Sequence, residues 1–385
     1  MYSCDVLIAG GGPAGSSCAW ALRSSGLRVV VVDKSVFPRN KICGGWITPP
    51  VLQALAIDPT DYARGRTFQP ITAFRIGCMG QKEVDVPYTE AISYGIRRCE
   101  FDDYLLRRSG AEIKDGVAIA SIERSGKDWI INGEIKARLL VGAGGHFCPV
   151  SRFLGKSTLD VPVVAQEVEF ELTDGQAASC GIAGDAPELY FCRDLQGYGW
   201  CFRKGNFLNI GLGRLDQHSL PEHVTQFMAF LRAAGKLGFD PPNKMGGHAY
   251  LLYGHSRRKL VDDSVMLIGD AAGLAYAQSG EGIRPAVESG LIAATAIKSA
   301  DGAYSRERLQ AYATLLADRL GDGRNRNETL ASRIPRGVRN GIARLLLKSE
   351  WFCRRTVVES WFLHMHDSAL TPGERPLMIS PLPAV

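Results

Sequence analysis

The stretch that decides the fold of this 385-residue chain is Cys4-Asp5-Val6-Leu7-Ile8-Ala9-Gly10-Gly11-Gly12-Pro13-Ala14-Gly15, which leads on to Arg28-Val29-Val30-Val31-Val32-Asp33. Residues 6–9 and 29–32 are short, continuous apolar runs, as expected of parallel strands that are covered on both faces. Between them small residues recur at helical spacing, and Gly26 stands where a helix end needs a positive φ. The stretch therefore predicts a strand, a glycine turn, a helix and a second strand.

The turn between these strands carries a dinucleotide-binding pattern. Gly10, Gly12 and Gly15 fit G-x-G-x-x-G, which provides a tight turn, backbone access for a pyrophosphate and close helix packing. The phosphates would lie at the helix start, Pro13-Ala14, where unpaired N–H groups favour an anion. Asp33 ends the second strand about 20 residues further on, where a carboxylate can bind a ribose 2′-hydroxyl. The motif predicts a bound adenine dinucleotide, either NAD or FAD; the alternative is a βαβ unit without a ligand.

Composition narrows the class of protein. The chain is 45% apolar and 22% charged, which is typical of a globular enzyme of one large or two modest domains. Its net charge of +5 gives no reason to expect a nucleic-acid partner. The ten cysteines are scattered without a C-x-x-C pair, which favours a reducing cytosol over a zinc site or disulfides. We expect no metal, no signal peptide and no transmembrane helix, and therefore a cytoplasmic protein.

The loop after Asp33 combines cations, a thiol and paired glycines in Lys34-Ser35-Val36-Phe37-Pro38-Arg39-Asn40-Lys41-Ile42-Cys43-Gly44-Gly45-Trp46. In one interpretation its charges are simply solvated. In the other, Arg39 and Lys41 face the cofactor phosphates, while Gly44 lets the backbone approach a flat ring.

The next part of the chain reads as an insertion and a return to the first sheet. Residues 47–95 contain strand-like segments at 71–76 and 83–86. A strand then passes into an amphipathic helix at Arg98, which could pair with a phosphate or form a surface ion pair with Asp102 or Glu100. Residues 118–122, 129–132 and 134–137 predict a β-meander, and residues 139–145 a buried strand that returns to the dinucleotide sheet.

Residues 163–252 alternate between apolar and polar side chains, which predicts a half-buried antiparallel sheet in a second domain. Within it, Tyr198, Trp200 and Phe202 share one strand face. Such an aromatic row is either sheet core or the wall of an apolar substrate pocket.

The chain then returns to the first domain. Residues 265–268 predict a buried strand that ends in Gly269 and Asp270, where an aspartate suits a polyol hydroxyl. Gly280-Glu281-Gly282-Ile283 opens a helix, and the N–H groups of this turn suit an anionic ring edge.

Beyond residue 300 the pattern is helical and basic. The cations interleaved with leucines and aromatic residues are Arg319, Arg324, Arg326, Arg333, Arg336, Arg339, Arg344, Lys348, Arg354 and Arg355. They indicate either a solvated helical cap over the second domain or peripheral attachment to anionic lipid. Prolines 372, 376, 381 and 383 predict a loose end.

Taken together, these motifs resemble the geranylgeranyl-reductase family of flavoproteins, within the aromatic-hydroxylase class. The motifs that carry the resemblance are the glycine pattern with Asp33, Pro38-Arg39-Asn40-Lys41-Ile42-Cys43-Gly44-Gly45, Arg98-x-x-Phe101-Asp102, Tyr198-x-Trp200-x-Phe202-x-Lys204 and Gly269-Asp270 with Gly280-Glu281-Gly282. The resemblance implies an α/β fold: a Rossmann-like FAD-binding domain (residues 1–46, 94–160 and 255–300), an inserted antiparallel substrate domain (47–93 and 161–254) and a C-terminal helical region (301–385).

The resemblance also implies roles for particular residues. Asp33 would bind the adenosine ribose, Arg39 and Arg98 would lie along FAD, and Asp270 would hold its pyrophosphate and ribityl region. Residues 280–282 would approach the flavin, and Cys43 would lie near its ring. At the family's Gly-Ala-Asp-Gly position this chain has Gly142-Ala143-Gly144-Gly145, which lacks the aspartate. The electron donor therefore stays open between NAD(P)H and a separate reductase or ferredoxin.

The predicted activity is reduction of an apolar, prenyl-like small molecule by hydride from reduced FAD. Cys43 is the first candidate for the proton donor and Tyr198 the second, with Trp200 beside them in the pocket wall. The alternatives are a flavin monooxygenase or halogenase on the same fold, although the halogenase Trp-x-Trp-x-Ile-Pro element is absent, and a non-catalytic or electron-carrying flavoprotein.

Overall fold

The computed structural model describes residues 1–155, 160–215, 219–256, 258–321 and 335–370. The strands are β1 (Tyr2–Ala9), β2 (Val29–Asp33), β3 (Trp46–Ile47), β4 (Phe68–Ile71), β5 (Ala73–Cys78), β6 (Val84–Pro87), β7 (Ser93–Ile96), β8 (Glu112–Asp115), β9 (Ile122–Ser125), β10 (Asp128–Ile131), β11 (Ile135–Gly142), β12 (Val163–Glu171), β13 (Glu188–Phe191), β14 (Gly197–Lys204), β15 (Phe207–Arg214), β16 (Gly246–Tyr250), β17 (Val261–Asp262) and β18 (Val265–Leu267).

The helices are α1 (Pro13–Leu22), α2 (Pro49–Ala54), α3 (Pro59–Ala63), α4 (Arg98–Arg107), α5 (Pro149–Phe153), α6 (Asp174–Ala178), α7 (Leu220–Ala233), α8 (Ile283–Ser299), α9 (Arg306–Leu320), α10 (Arg336–Leu346) and α11 (Glu350–Phe352). A 3-10 turn spans Gly269–Ala271, and a π-helical segment spans Cys353–Phe362. None of the helices in the described part of the chain is long and apolar enough to span a bilayer.

The first sheet has the order β17-β18-β11-β1-β2-β8, with β10 and β9 attached to β11. Strand β1 pairs in parallel with both β2 and β11, and its apolar run is buried on both faces, as predicted. Helices α1 and α8 pack closely against each other because Gly290 has no side chain: a Cβ there would lie 2.3 Å from the Ala14 carbonyl oxygen. Gly26 has the predicted positive φ, +76°.

The predicted meander differs from the structure in two respects. Residues 118–121 are a loop, and the strand starts only at Ile122. The segments predicted as two strands, 134–137 and 139–145, are one strand, β11. Strand β11 pairs in parallel with β1 along its whole length, and its first residues also pair antiparallel with β10 on the other side. One continuous strand therefore makes both pairings, without a turn.

The second sheet has seven strands in the order β16-β12-β15-β14-β13-β5-β6. It is mainly antiparallel, as predicted, but β13 pairs in parallel with β5 because the insertion before residue 95 joins the sheet at that edge. One face packs against α7 through Tyr190 and Phe227. The other face is not left to solvent, which corrects the half-buried expectation: the Glu167 side chain on it is only 4% exposed.

The C-terminal segments pack onto this second face and onto the first domain. Phe362 contacts Trp46 and Tyr198, with ring centroids 5.7 and 5.3 Å apart. Arg319, predicted as one of the basic surface residues, instead pairs with buried Glu288. Arg324, Arg326, Arg333 and the four C-terminal prolines lie outside the described residues, as does the side chain of Arg336. The predicted class, an α/β fold with an inserted, mainly antiparallel sheet and a helical C-terminal region, is confirmed.

Candidate functional site

A cavity of about 620 Å³ lies between the two sheets. Its wall combines the loops at the carboxyl ends of β1, β2 and β11, the loop before β3, the inner face of the second sheet and the turn before α8. The volume is within the range of about 300–1,000 Å³ that is usual for cofactor and ligand sites. Ligands of open α/β sheets bind at this carboxyl edge.

The three motif glycines have different roles in the turn. A Cβ at Gly10, whose φ is +124°, would lie 2.4 Å from the Ala143 carbonyl oxygen, and one at Gly15 would lie 1.9 Å from the Gly10 carbonyl oxygen. Gly12 faces the cavity, and a Cβ added there would come no closer to another residue than 3.4 Å, from Arg39 Nη2. Gly15, predicted to bind the cofactor, does not line the cavity and acts through packing, while Pro13 and Ala14 do line it.

Asp33 lies at the end of β2 and lines the cavity. Its Oδ2 accepts the Gly11 N–H at 2.8 Å, and its Oδ1 accepts the Ser35 N–H at 2.9 Å. These bonds hold the carboxylate next to the glycine turn. Lys34 is exposed at the cavity wall.

Two arginines share one buried carboxylate in the cavity wall. Arg98 Nε and Nη2 each lie 2.8 Å from an oxygen of Asp102, and Arg39 Nη1 lies 3.0 Å from Oδ2 of the same residue. The pair with Asp102 is therefore buried, which corrects the surface ion pair considered from the sequence. Two guanidinium groups against one carboxylate leave a net positive charge that favours an anionic ligand.

Lys41, His248 and Asp270 form a second charged group in the cavity. Lys41 Nζ lies 3.0 Å from each ring nitrogen of His248, whose Nε2 lies 3.8 Å from Asp270 Oδ2. Burial lowers the pKa of Lys41 to about 8, although Asp270 opposes this. Burial alone would raise the pKa of Asp270, but His248 and Lys41 together hold it below its usual value.

The Cys43 loop is fixed by the second sheet. The Cys43 N–H donates to Glu167 Oε1 at 2.5 Å, and its carbonyl accepts from Asn209 Nδ2 at 3.1 Å. Lys204, whose side chain is buried, donates to the carbonyl of Gly44 at 3.0 Å and pairs with Glu169. Burial raises the pKa of the Cys43 thiol, and the neighbouring Arg98 opposes that shift.

The aromatic row of β14 divides between wall and core. Tyr198 and Trp200 line the cavity, whereas Phe202 does not. Phe202 instead lies under Gly44, where a Cβ would approach its ring to 2.9 Å, and packs on Trp46 with centroids 4.8 Å apart. Tyr198 and Trp200 therefore form part of a pocket wall, whereas Phe202 belongs to the core of the sheet. The Tyr198 hydroxyl donates to the Ser279 carbonyl.

The turn before α8 approaches the cavity closely. Gly280 has a φ of +71°, and a Cβ there would meet the Tyr250 hydroxyl at 2.3 Å. The N–H groups of Ile283 and Arg284 donate to Glu281 Oε1 at 2.6 and 2.9 Å. The Ile283 N–H, which was expected to face a ring edge, is therefore already used. Burial raises the pKa of Glu281 to about 7.

Gly282 lines the cavity beside Asp270, but Gly269 does not line it. Gly269 has a φ of +59°, and a Cβ there would lie 2.8 Å from the Ala14 Cβ. It therefore acts by letting the 3-10 turn pack on α1, which corrects its predicted contact with the cofactor.

The glycine at the position of the family's aspartate also has a packing reason. A Cβ at Gly144 would lie 3.2 Å from Cys148 Cα and 3.4 Å from the Ala9 carbonyl oxygen. A side chain at this position would therefore be tightly packed against Cys148 and the end of β1. His146, two residues on, lines the cavity, and its Nδ1 has no hydrogen-bond partner among the described residues.

Sequence reasoning missed five polar residues of the cavity: His146, Arg152, Glu167, His248 and Tyr250. Glu167 belongs to the alternating polar set of β12, which resembles a solvent-facing strand. Lys204 in β14 is a signal for the face as a whole, since a buried cation needs a carboxylate on the neighbouring strands; its partner is Glu169, two residues from Glu167 on the same strand.

The cavity fits the FAD that the sequence motifs imply. Gly12 leaves space for phosphate at the start of α1, and Arg39 and Arg98 supply positive charge. Asp33 lies at the cavity wall at the end of β2, which is the motif position where a carboxylate binds a ribose hydroxyl. Tyr198 and Trp200 provide a flat apolar wall. The buried Glu167 Oε2 and His146 Nδ1, which lack partners in the described part of the chain, are groups that a bound ligand would satisfy.

Comparison with known proteins agrees with this geometry. Residues 8–58 match the family described as NAD(P)-binding Rossmann-like domain. The chain is 30% identical to a menaquinone reductase of Mycobacterium tuberculosis, over 83% of this chain and 81% of the relative. It is 29% identical to a digeranylgeranylglycerophospholipid reductase of Methanosphaera stadtmanae, over 82% of this chain and 83% of the relative.

Solved structures share the fold. A geranylgeranyl bacteriochlorophyll reductase-like protein of Thermoplasma acidophilum superposes with a TM-score of 0.69 at 21% identity, covering 90% of this chain and 88% of the other. The halogenase PltM, in complex with phloroglucinol and FAD, superposes with a TM-score of 0.64 at 18% identity, covering 83% and 77%.

Proposed function

The chain belongs to the geranylgeranyl-reductase-like family of FAD-dependent oxidoreductases, and on that premise we propose that it reduces a carbon–carbon double bond in a polyprenyl chain. The observation that carries this proposal is the apolar wall of Tyr198 and Trp200 beside Cys43 in the cavity that holds the dinucleotide turn. The names of the relatives suggest which molecule carries the polyprenyl group: either a quinone or a glycerophospholipid.

Each group of the cavity has a role in this reaction. Reduced FAD supplies the hydride. Gly12 and the start of α1 bind its phosphates, Asp33 binds the ribose, and Arg39 and Arg98 balance its negative charge. Tyr198 and Trp200 hold the prenyl chain and, together with Phe362 behind them, keep water away from the transferred hydride.

Product mass tests the proposal directly. Reduced enzyme is incubated with menaquinone or with a digeranylgeranyl glycerophospholipid, and the lipid products are analysed by mass spectrometry. A gain of two hydrogens that persists after air has reoxidised any quinol to the quinone is the expected result. A gain of oxygen or halogen would instead favour the monooxygenase or halogenase alternative, which the shared fold of PltM keeps open. Absence of turnover with every donor would favour an electron carrier.

The electron donor is tested by anaerobic reduction of the purified protein with NADPH, NADH and ferredoxin in turn. We propose a direct nicotinamide donor, which must bind outside the glycine turn of residues 8–58 because that turn is assigned to FAD. Rapid bleaching by NADPH or NADH would show that Gly144, at the position of the family's aspartate, does not prevent reduction of the flavin by a nicotinamide. Bleaching by ferredoxin alone would contradict this part of the proposal.

We predict that Cys43→Ser keeps FAD bound but slows turnover at least tenfold, because the Cys43 side chain lines the cavity together with Tyr198 and Trp200, where it positions the substrate. Flavin absorbance measures binding, and product formation measures turnover. Cys180→Ser is the matched control, since Cys180 is also partly exposed but does not line the cavity. Equal turnover in the two variants would remove Cys43 from the mechanism.

We also propose that α10 places the enzyme on an anionic lipid surface, where polyprenyl substrates are found. The helix is amphipathic, but its polar side faces the protein: Asn340 donates to the Asp194 carbonyl and Arg344 to the Arg193 carbonyl. Its apolar side faces outward, with Leu345 68% exposed and Ile342 also exposed. An outward apolar stripe flanked by basic residues is typical of an interfacial helix.

We predict that Leu345→Glu combined with Trp351→Glu abolishes binding to vesicles that contain phosphatidylserine. Trp351 is 70% exposed and follows α10 directly, so both substitutions place charge in the bilayer interface without touching the core. Co-sedimentation at low salt measures binding. Val161→Glu, at an exposed apolar residue elsewhere, is the control and should bind like wild type. Wild type that fails to sediment would overturn the proposal.

A further inference from the structure

Glu167 presents an unpaired carboxyl oxygen to the cavity. The side chain lies in the middle of β12 and is 4% exposed. Its Oε1 accepts the Cys43 N–H, whereas its buried Oε2 has no hydrogen-bond partner among the described residues. A buried carboxyl oxygen without a partner is costly, so its presence in a ligand cavity calls for a role.

The neighbouring strands are shaped around this side chain. Glu167 lies opposite Gly211 on β15 and Gly246 on β16. A Cβ at Gly211 would lie 2.2 Å from the Trp200 ring and 2.8 Å from the Glu167 Cβ, and one at Gly246 would lie 2.5 Å from Ile42. The two glycines therefore let Trp200 and Ile42 close over the sheet and enclose the carboxyl group beside the apolar wall.

The charges around Glu167 leave it able to carry a proton near neutral pH. Burial raises its pKa to about 7, and Glu169 on the same strand adds to the increase. The Cys43 N–H, Lys204 on β14 and Asn209 on β15 oppose the shift. Lys204 is mainly engaged elsewhere, with Glu169 and the carbonyls of Gly44 and Ile96. An acid works best when its pKa lies near the working pH, since it must both give up and regain a proton.

The two proton donors suggested by the sequence are less well placed for this step. The Tyr198 hydroxyl already donates its proton to the Ser279 carbonyl, and burial raises its pKa well above the usual value. Burial raises the pKa of the Cys43 thiol above its usual value, so the thiol holds its proton more tightly than the Glu167 carboxyl group, whose pKa is about 7. Only Glu167 of these three combines a free oxygen with a place in the cavity wall.

We propose that Glu167 is the catalytic acid of the reduction, an inference that rests on the proposed function. One carbon of the prenyl double bond accepts the hydride, with its two electrons, from reduced FAD. The other carbon accepts the proton of the Glu167 carboxyl group: the O–H bond breaks and a new C–H bond forms. The substrate gains two hydrogens, the cofactor is oxidised, and the Glu167 carboxylate takes up a proton from solvent.

The test compares Glu167→Gln with wild type in single-turnover reoxidation of the dithionite-reduced enzyme by a digeranylgeranyl glycerophospholipid, which has no quinone ring to accept the electrons. Glutamine keeps the acceptor for the Cys43 N–H but has no acidic proton. We expect reoxidation to slow about 10²- to 10⁴-fold. In wild type the rate should fall as the pH rises through about 7, where Glu167 loses its proton, and Glu167→Gln should lack this fall. Glu171→Gln, exposed on the same strand, is the control.

A second measurement does not depend on activity. Because the pKa of Glu167 is raised in the folded protein, its contribution to stability is complete below the unfolded value and is lost as pH rises through about 7. The melting temperature of wild type should therefore fall over this range more steeply than that of Glu167→Gln. Reduced product from wild type together with unchanged rates in Glu167→Gln would overturn this inference alone. No reduced product from wild type would overturn the proposed function and this inference together.

Discussion

Arg284→Met is expected to lower the free energy of unfolding by about 3–5 kcal/mol, the usual result of removing one partner from a buried ion pair. Arg284 is 2% exposed, and its Nε lies 2.9 Å from Glu288 Oε1. Its other nitrogens donate to the carbonyls of four residues in the C-terminal segment: Leu363, His364, Asp367 and Ser368. Without the guanidinium, the carbonyl of buried Leu363 loses this donor, and buried Glu288 loses one of its two cations and keeps its pair with Arg319.

The measurement is chemical denaturation followed by circular dichroism. Arg355→Met is the matched control, since Arg355 also pairs with a glutamate four residues on but is largely exposed. Exposed pairs of this kind contribute about 0.3–0.5 kcal/mol, so the control should lie close to wild type. Similar losses in both variants would mean that burial does not determine the contribution of the Arg284 pair. Because the C-terminal segment carries Phe362, Arg284→Met should also expose Tyr198 to solvent.

Gly15→Ala and Gly12→Ala are expected to separate folding from cofactor binding. A Cβ at position 15 would lie 1.9 Å from the Gly10 carbonyl oxygen, so the turn or α1 must move. We expect a loss of more than about 4 kcal/mol, in the range of exceptional single substitutions. A Cβ at position 12 meets nothing closer than 3.4 Å, so Gly12→Ala should fold normally.

The extra methyl group at position 12 would nevertheless occupy the space through which a pyrophosphate approaches the backbone. The Kd of Gly12→Ala for FAD should rise more than tenfold, which corresponds to about 1.4 kcal/mol for each factor of ten. Melting curves report folding, and flavin fluorescence titration reports binding. Normal FAD affinity in Gly12→Ala would show that the phosphates bind elsewhere.

The fold was predictable because the residues that specify it are neighbours in the chain. The apolar runs around Gly10 and Val30 encode parallel strands locally, and the glycines between them leave few other conformations. Gly205-Asn206, a local turn signal of the same kind, lies between β14 and β15, where Gly205 has a φ of +58°. The meander was predicted less well, since β11 continues across both of its pairings without a turn that the sequence could signal.

The sequence by itself therefore determined the Rossmann-like sheet and the second sheet, because short-range apolar periodicity and turn residues encode them, while its motifs carried the resemblance to the family. Only the tertiary structure decided which side chains meet in the cavity. His248 reaches Lys41 across 207 positions, and Glu167 reaches Cys43 across 124. The same applies to Arg319, which pattern alone placed at the surface and which packing pairs with Glu288. The physical reason is that the burial of a strand face depends on which distant segment packs on it. The loop that contains Cys43 covers the polar face of β12, and the local sequence of β12 does not predict that contact.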